Sequence, residues 1–247
     1  MGNTAFKHIF FEEIDSTSSY LIKEHNNLEN FTFVSTNYQS NGKGREDRQW
    51  ISAKGANLLF SFLLKDKDLI KEFSSISLCC AFVVASYFIG LGLTGIQIKW
   101  PNDVYMNGKK VAGILLEGNV EEYLVVGIGI NINQDKFPTN LHYPATSLYL
   151  ETGVKMPIND LKESIFRTLY NELNLKNIKD RRYLKFIQKH DYLKGKDVYV
   201  NINNKRIKVQ ASGVAEDNSL IIDMQGYKQR VISGEIEISK GEEKEYE

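Results

Sequence analysis

The longest apolar run in the chain, residues 76–93, places the first constraint on its fold. A membrane-spanning helix needs about 20 consecutive apolar residues, so this run is close to that length. It contains Ser77, Ser86 and Tyr87, however, and it lacks the basic flank that would anchor it at a membrane surface. These features favour a buried core helix, which we predict over residues 69–90, and we expect no contact with a membrane.

Charge and cysteine usage narrow the class of protein. The 247 residues carry 31 Lys plus Arg and 31 Asp plus Glu, so the net charge is zero. Proteins that bind nucleic acid by neutralising phosphates usually have a basic excess, so charge gives no support for such binding. Cys79 and Cys80 are adjacent and lie in the apolar run, which indicates free thiols in a reducing cytoplasm. The first residues lack the pattern of a secretory signal.

Segments rich in β-branched and aromatic residues predict a mixed sheet in the first half of the chain. We predict strands over residues 7–14, 31–36, 58–64, 96–98, 104–106, 110–117 and 123–130. Helices are predicted over residues 20–25, after a polar run that favours a helix N-terminus, and within residues 159–190. Short alternating strands over residues 197–238 predict a small β-barrel or sandwich. The predicted fold class is therefore mixed α/β (α+β) with a C-terminal β module.

A long, charged loop after the second predicted strand is the first candidate site, because such loops in compact domains are uncommon and often functional. Gly42 and Gly44 would let backbone N–H groups approach an anion, and Lys43, Arg45 and Arg48 would bring positive charge to it. This composition suits phosphate chemistry, although a solvated basic turn accounts for it equally well. The loop does not match the GxxxxGK[ST] phosphate-binding motif.

The segments on either side of a predicted Asn107-Gly108 hairpin turn form the second candidate. Lys110 opens a strongly apolar strand, so its ammonium group would sit near partly buried surface, where it could hold a carboxylate or a phosphate. Asp103 could help to hold Mg²⁺, which prefers oxygen ligands and accompanies nucleotide phosphates. Alternatively, Lys110 would be a surface charge and Asp103 a turn-forming acid.

A third segment, residues 127–133, reads GIGININ and is a weak signal by itself. Its glycines do not have the GxGxxG spacing of dinucleotide sites and could simply allow close packing, while Asn131 offers an amide to a ligand. Zinc and serine-nucleophile sites have no support. The four histidines are scattered, and neither an HExxH nor a GxSxG motif occurs.

Taken together and in this order, these segments resemble the motifs of the biotin protein ligase family. The family's GRGRxGRxW is matched by residues 42–50, GKGREDRQW, and its KWPND is intact at residues 99–103. Its KxAGIL(x)E is matched by residues 110–117, KVAGILLE, and its GxGxNxN by residues 127–133. Asp15-Ser16-Thr17 and residues 145–148, ATSL, also look like family features. The likeness extends over roughly residues 6–238.

This resemblance implies a catalytic domain over residues 1–190, with the mixed sheet of biotin and lipoate ligases, and a small SH3-like β-barrel domain over residues 191–247. The chain begins at the first strand of the family's catalytic domain. It is therefore similar to the short members without an N-terminal DNA-binding domain, and we expect no nucleic-acid partner. It departs from the family pattern at Lys43, Asp47 and Ser18, where arginine, glycine and often asparagine are usual.

The resemblance further implies an enzyme that uses ATP to convert biotin to biotinyl-5′-AMP, with release of pyrophosphate. It would then transfer biotin to a lysine of the biotin carrier domain of an acyl-CoA carboxylase. The implied ligands are ATP, biotin and Mg²⁺. The implied location is the cytoplasm, and a homodimer is compatible with the resemblance.

Site roles follow from the resemblance, motif by motif. Lys110 would bridge biotin's carboxylate and the α-phosphate, and Arg45 would grip the phosphate as the loop closes and excludes water. The implied biotin-binding residues are Ser16, Thr17, Gln39, Gly42, Lys43, Arg45, Lys110 and Gly113. The implied nucleotide-binding residues are Lys43, Arg45, Arg48, Trp50, Asn102 and Asn131, and Asp103 would face the metal.

Two alternatives remain open. A lipoate–protein ligase has a related catalytic fold and acylates a similar lysine, but the RRxxGGG-type loop of such ligases is absent here. The other alternative is a non-catalytic biotin-binding protein, in which Lys43 and Asp47 mark a loop that has lost its activity.

Overall fold

A computed structural model describes residues 7–46, 48–141, 143–202, 205–224, 226–232, 234 and 236–238. The first part of the chain contains β1 (His8–Phe11), α1 (Thr17–Glu24), β2 (Phe33–Thr36), β3 (Asn57–Leu64), α2 (Lys67–Ile70), α3 (Phe73–Gly90), β4 (Ile96–Lys99), β5 (Asp103–Met106), β6 (Lys109–Asn119) and β7 (Tyr123–Asn131). The second part contains α4 (Leu148–Thr152), α5 (Ile158–Glu172), α6 (Leu175–Asp180), α7 (Arg182–Lys189), β8 (Asp197–Ile202), β9 (Lys205–Val214), β10 (Leu220–Met224), β11 (Tyr227–Val231) and β12 (Glu237–Ile238).

The main sheet has seven strands in the order β1-β2-β3-β7-β6-β5-β4. Strands β1 and β2 run parallel, and the other neighbours are antiparallel. The predicted mixed sheet flanked by helices is therefore confirmed. Most of the predicted strands are found within a few residues of their expected bounds, although β1 is shorter than the predicted 7–14.

The two faces of the main sheet have different partners, because alternate residues of a strand point to opposite faces. Phe60, Phe62 and Ile128 belong to the large core that the sheet forms with α3 and α5. On the other face, Leu63 and Val125 belong to a smaller apolar cluster that includes Leu21 of α1. The candidate site lies on this second face, next to α1.

Helix α3 is the core helix that the apolar run predicted. Of the described residues, it is the one helix long and apolar enough to cross a membrane, and 61% of its apolar window is buried inside the protein. It packs on β4, β5 and β6 and against α5 and α7. The helix begins at Phe73 rather than at the predicted residue 69, because Asp66 caps a separate short helix, α2, through the N–H groups of Asp68 and Leu69.

Helix α1 begins earlier than the sequence predicted. Ser16 is its N-cap residue, and the Ser16 Oγ accepts a hydrogen bond of 3.3 Å from the Ser19 N–H. The helix therefore starts at Thr17 instead of residue 20, and Thr17 and Ser18 lie buried in its first turn. This shift matters for the site, because both hydroxyls now belong to a fixed helix end.

The C-terminal strands form a second, antiparallel sheet in the order β11-β10-β9-β8-β12, consistent with a small barrel-like domain. Parts of the predicted strand region lie outside the described residues. The two sheets share one continuous apolar core. In addition, Trp100 Nε1 donates a 2.8 Å hydrogen bond to Asn218 O, and the Tyr183 hydroxyl donates one of 3.1 Å to Asn218 Oδ1. The domain boundary at residue 190 stays a prediction.

The two cysteines of α3 are free and buried, as the sequence indicated. Burial raises the pKa of the Cys79 and Cys80 thiols well above its usual range, so both stay protonated at neutral pH. They act as small apolar side chains in the core.

Candidate functional site

A cavity of about 190 Å³ lies between the charged loop and the α1 face of the main sheet. Most of the residues that the sequence singled out line this one cavity. They are Ser16, Thr17, Gln39, Lys43, Arg45, Arg48, Trp50, Asn102, Asp103, Lys110, Gly113 and Asn131. Gly42 is the exception: it is buried within the loop and does not line this cavity.

The floor of the cavity is a strip of the sheet without side chains. Gly127 and Gly129 point to the same face of β7, since they are two residues apart, and Gly113 of β6 pairs with Gly129. Ile128 and Ile130, which alternate with the glycines, point into the core instead. The weak GIGININ signal is therefore explained by period 2: its glycines open one face while its isoleucines fill the other.

Trp50 lies on this glycine floor. A Cβ atom at Gly129 would approach within 2.5 Å of Trp50 Cε2, and one at Gly113 within 3.1 Å of Trp50 Cζ3. The indole Nε1 is buried without a hydrogen-bond partner among the described residues. Trp50 thus forms an apolar wall in the middle of the cavity. The centroid of its ring lies 5.6 Å from the Nζ of Lys110.

One end of the cavity is built by hydroxyl groups around the start of α1. The N–H and the Oγ1–H of Thr17 both donate to Gln39 Oε1, at 2.8 and 2.9 Å. Thr17 Oγ1 also lies 2.7 Å from the Oγ of Ser61, which lies 3.0 Å from that of Ser18. Ser61 was not predicted as a site residue. Its signal in the sequence was a lone hydroxyl in an apolar strand.

The charged loop folds as a narrow hairpin, and for Gly44 this contradicts the predicted exposure of its N–H group to an anion. The Gly44 N–H donates to Arg48 O at 2.7 Å, and the Trp50 N–H donates to Gly42 O at 2.9 Å. A Cβ atom at Gly42 would meet Trp50 O at 2.7 Å. Gly42 and Gly44 therefore allow the two sides of the hairpin to approach, and the Gly44 N–H is already used within it.

The loop cations have protein partners in this structure. Lys43 Nζ lies 3.3 Å from Glu117 Oε1, and Arg48 Nη2 lies 3.0 Å from Glu46 Oε2. The guanidinium of Arg45 donates to Asn102 Oδ1 at 3.5 Å and to the carbonyl of Gly234, beyond the main sheet, at 3.1 Å. The contacts of Lys43 and Arg45 hold the loop over the cavity, so a phosphate would have to exchange with them.

Lys110 is placed by backbone contacts on both sides. Its N–H donates to Pro144 O and its carbonyl accepts from the Thr146 N–H, each at 2.9 Å. An irregularity in the pairing of β5 with β6 lies next to it. Its Nζ is 2.7 Å from Asp103 Oδ1, and both side chains are largely buried, at 24% and 11% exposed. The sequence placed both residues in the second candidate segment, and the structure brings their charged groups into contact.

The two predicted amides are held by the backbone. Asn102 Nδ2 donates to Ile114 O at 2.7 Å, and Asn131 Nδ2 donates to Thr146 O at 3.0 Å. Asn131 Oδ1 is buried with no hydrogen-bond partner among the described residues. Asn131 follows the glycines on the same face of β7, so this oxygen is the atom it can offer to a ligand.

Some lining residues were not assigned a role from the sequence, among them Lys99, Tyr143 and Ile236. Lys99 is 4% exposed and its Nζ lies 3.7 Å from the centroid of the Tyr143 ring. Ile236 reaches the cavity from the C-terminal region. Tyr143 and Ile236 lie outside any recognisable sequence motif, and contacts between segments distant in sequence bring them to the cavity.

Within the described part of the chain, no group of three His, Cys, Asp or Glu side chains could hold a metal ion.

The comparison with known families agrees with this geometry. The model of the biotin/lipoate A/B protein ligase family matches residues 10–135, which is more than half of the chain and includes nearly the whole main sheet. The chain belongs to this family. The predicted resemblance is confirmed at the level of the family.

Relatives of this biotin/lipoate ligase family member include named enzymes. The chain is 28% identical over 235 residues to the bifunctional ligase/repressor BirA of Escherichia coli, a match that covers 93% of the chain and 73% of the relative. It is 34% identical over 127 residues to the biotin–[acetyl-CoA-carboxylase] ligase of Paracoccus denitrificans, covering 48% of the chain and about half, 51%, of that protein.

A solved structure extends the likeness over both sheets. The biotin protein ligase from Aquifex aeolicus, in complex with biotin and ATP, superposes with a TM-score of 0.83 at 28% identity. The alignment covers 94% of this chain and 98% of that one. The arrangement of the main sheet and the C-terminal sheet is therefore that of a biotin protein ligase.

Proposed function

We propose that this protein activates biotin with ATP and transfers the biotinyl group to a lysine of the biotin carrier domain of an acyl-CoA carboxylase. One observation carries the proposal. A single cavity joins a hydroxyl-lined end, an apolar wall formed by Trp50, and an end with Lys110 beneath the charged loop. A ligand with a polar ring, an apolar chain and a carboxylate matches this order.

The chemistry requires two steps, because a carboxylate has no usable leaving group towards an amine. In the first, a carboxylate oxygen of biotin attacks the α-phosphorus of ATP, the bond to the bridging oxygen breaks, and pyrophosphate leaves. In the second, the uncharged lysine nitrogen attacks the carbonyl carbon of biotinyl-5′-AMP. AMP leaves with the anhydride oxygen, and the new amide nitrogen loses a proton.

Lys110 is the residue best placed to assist the first step. Its ammonium group lies close to the apolar wall, so it can neutralise charge on the carboxylate and the α-phosphate together. To do so it must exchange its contact with Asp103 for a contact with the ligand. Fixed charge in a largely buried site acts more strongly than in water, because the local dielectric response is weaker.

Arg45, Lys43 and Arg48 are proposed to hold the phosphates once the loop cations exchange their present partners. Trp50 is proposed to keep water away from the mixed anhydride and to pack beside the adenine, while Asn102 and Asn131 offer amide groups to the nucleotide. The residues proposed to contact biotin are Ser16, Thr17, Gln39, Gly42 and Gly113. Gly42 would act through its backbone, next to the Gln39 side chain.

Asp103 is proposed to contribute one carboxylate oxygen to Mg²⁺ when the nucleotide is bound. A single carboxylate is compatible with this ion, which is commonly held by one or two carboxylates together with substrate phosphates. The ion would supply charge neutralisation at the phosphates. The residue would be released for this role when Lys110 turns to the ligand.

Two rival functions have different signatures. A lipoate–protein ligase would prefer lipoate as the acid, and a non-catalytic biotin-binding protein would bind biotin without forming an adenylate. ATP–pyrophosphate exchange with biotin, lipoate or no acid separates the three. We expect exchange that depends on biotin; exchange that depends on lipoate, or none with either acid, would contradict the proposal.

The proposed setting is the cytoplasm, in agreement with the buried free thiols of α3. The proposed macromolecular partner is the carrier domain, with no nucleic-acid or membrane partner. A homodimer is compatible with the proposal, and sedimentation with and without biotin and ATP would measure it.

A further inference from the structure

Ser61 lies at the centre of the hydroxyl end of the cavity, and its surroundings are unusual for a strand residue. It is 1% exposed, and its neighbours Phe60 and Phe62 point into the core on the other face of the sheet. It is paired across the sheet with Gly127. A Cβ atom at Gly127 would lie 2.7 Å from Ser18 Oγ and 3.4 Å from Ser61 Oγ, so the glycine leaves room for both hydroxyls.

The direction of every hydrogen bond in this group can be worked out from the acceptor at one end. The backbone N–H of Thr17 can only donate, so the atom 2.8 Å from it on Gln39 must be the amide oxygen. The Thr17 hydroxyl, 2.9 Å from the same oxygen, must also donate to it. That donation uses the one hydrogen that the Thr17 hydroxyl has.

The remaining directions follow in turn. Because the Thr17 hydrogen is used, the 2.7 Å contact must be a donation from the Ser61 hydroxyl to Thr17. Because the Ser61 hydrogen is then used, the 3.0 Å contact must be a donation from Ser18 to Ser61. The order runs from Ser18 through Ser61 and Thr17 to Gln39, and Ser61 is the link that fixes it.

This order determines what the cavity offers to a ligand. Ser18 and Thr17 donate their hydroxyl hydrogens to protein partners, so both hydroxyl oxygens present lone pairs to a ligand as acceptors. Gln39 has its oxygen occupied twice, so its side chain presents the Nε2 amide as a donor. The complementary ligand carries N–H donors beside a carbonyl acceptor. A cyclic urea has this pattern, whereas an apolar or dithiolane ring does not.

We propose that Ser61 is a positioning residue that sets the hydroxyl order and so makes this end of the cavity selective for a urea ring. The proposal rests on the proposed function, because it treats biotin as the acid substrate. Without the Ser61 hydroxyl, Ser18 and Thr17 lose their shared partner, and the Ser18 hydrogen is free to point at the ligand as a competing donor. A site built to pair with polar groups discriminates strongly when its own groups are correctly oriented.

The test is the affinity of Ser61→Ala for biotin and for ATP, each measured separately by calorimetry on the full chain. Ser35→Ala is the matched control, because Ser35 is also a buried serine and lies on the adjacent strand β2. Its Oγ forms a 2.8 Å hydrogen bond with His8 Nε2, outside the cavity. We expect the dissociation constant for biotin to rise roughly tenfold in Ser61→Ala, with that for ATP changing less than about twofold. Ser35→Ala should leave both constants unchanged.

A second variant approaches the hydroxyls from the sheet side. Gly127→Ala would push its Cβ against Ser18 Oγ and separate Ser18 from Ser61, so we expect the same selective loss for biotin. Thermal unfolding identifies which of the two variants is folded, and either one decides the question. Lipoate is the ring probe: its affinity relative to biotin should increase in both variants.

Three results would count against the role of Ser61. An unchanged biotin affinity, an unchanged preference for biotin over lipoate, or an equal loss of biotin and ATP affinity would each overturn it. The last of these is the outcome of a merely structural role. A wild-type protein that binds ATP but not biotin would contradict the proposed function itself, and this inference with it.

Discussion

Lys110 is the residue on which the activation step depends most directly. Lys110→Ala removes the ammonium group that faces the developing charge, so we expect biotin-dependent pyrophosphate exchange to fall by about 100- to 1,000-fold. Lys109→Ala is the matched control, because Lys109 is the preceding residue, is 52% exposed and contacts Glu151, which does not line the cavity. Exchange within a fewfold of wild type in Lys110→Ala would show that the lysine is a structural charge.

Arg45 has a different predicted effect, because its contacts in this structure hold the loop. Arg45→Gly removes contacts to Asn102 and to the Gly234 carbonyl, which should loosen the loop over the adenylate. The mixed anhydride would then escape and acylate exposed lysines on an unrelated protein. Incubation with ATP, biotin and a lysine-rich protein measures this labelling against that of the wild type.

If Arg45 were merely a solvated charge, its loss would change little, since exposed ion contacts are weak. Labelling of the unrelated protein at the wild-type level, together with unimpaired transfer to a carrier domain, would contradict its role as a lid contact.

Strand β7 shows how one element builds both the core and the site. Gly129→Ala places a Cβ atom against the Trp50 indole, which must move off the floor of the cavity. We expect weaker binding of biotin and ATP and a shift in tryptophan fluorescence, since Trp50 and Trp100 are the two tryptophans of the chain. Gly90→Ala is the control, because a Cβ atom there meets no other atom within 4 Å. Unchanged fluorescence and affinity in Gly129→Ala would show that the close fit is not required.

Helix α4 is tied to the site through one carboxylate. Burial raises the pKa of Glu151, but hydrogen bonds from Asn107 and Thr146 and the nearby Lys109 outweigh it, so the pKa lies below its ordinary value. Thr146 in turn receives the hydrogen bond of Asn131 Nδ2 and donates its N–H to Lys110 O. Glu151 therefore stabilises the segment that positions two site residues.

The pH dependence follows from the sign of that shift. A carboxylate with a lowered pKa in the folded state stabilises the protein above its unfolded pKa, and this contribution is lost as pH falls through the folded pKa. Glu151→Gln should lower the free energy of unfolding by about 1–2 kcal/mol near neutral pH, and the difference should shrink below about pH 4. Urea denaturation measures it, with the exposed Glu121→Gln as control. A difference that does not change with pH would contradict the ionic role of Glu151.

Local rules were sufficient to predict many elements. Period-2 patterns located most strands of the main sheet, and the polar run around Ser16 correctly predicted a helix start, although the helix begins three residues earlier than the predicted residue 20. The break between α2 and α3 was missed, because the Asp66 cap interrupts an otherwise apolar pattern. Contacts between residues distant in sequence could not be predicted either, such as that of Lys43 with Glu117, 74 residues away. The role of Ser61 could not be predicted, because it depends on the contact between β3 and α1.

In the molecule as a whole, both sheets contribute to the site beneath the charged loop. Trp100 of the KWPND segment is anchored to Asn218 by a 2.8 Å hydrogen bond, and Ile236 lines the cavity. The C-terminal strands therefore help to hold the site that the family motifs form. Motif residues could be predicted from the sequence, whereas this support could not, because it depends on how the second sheet docks.

The transfer of labelled biotin to a biotin carrier domain measures the complete proposed reaction. We expect labelling of the carrier that requires ATP, is confined to its target lysine, and is lost both in a carrier whose lysine is replaced by arginine and in the Lys110→Ala protein. A folded wild-type protein that labels no carrier domain in the presence of biotin, ATP and Mg²⁺, under conditions in which a known biotin protein ligase does so, would contradict the proposed function.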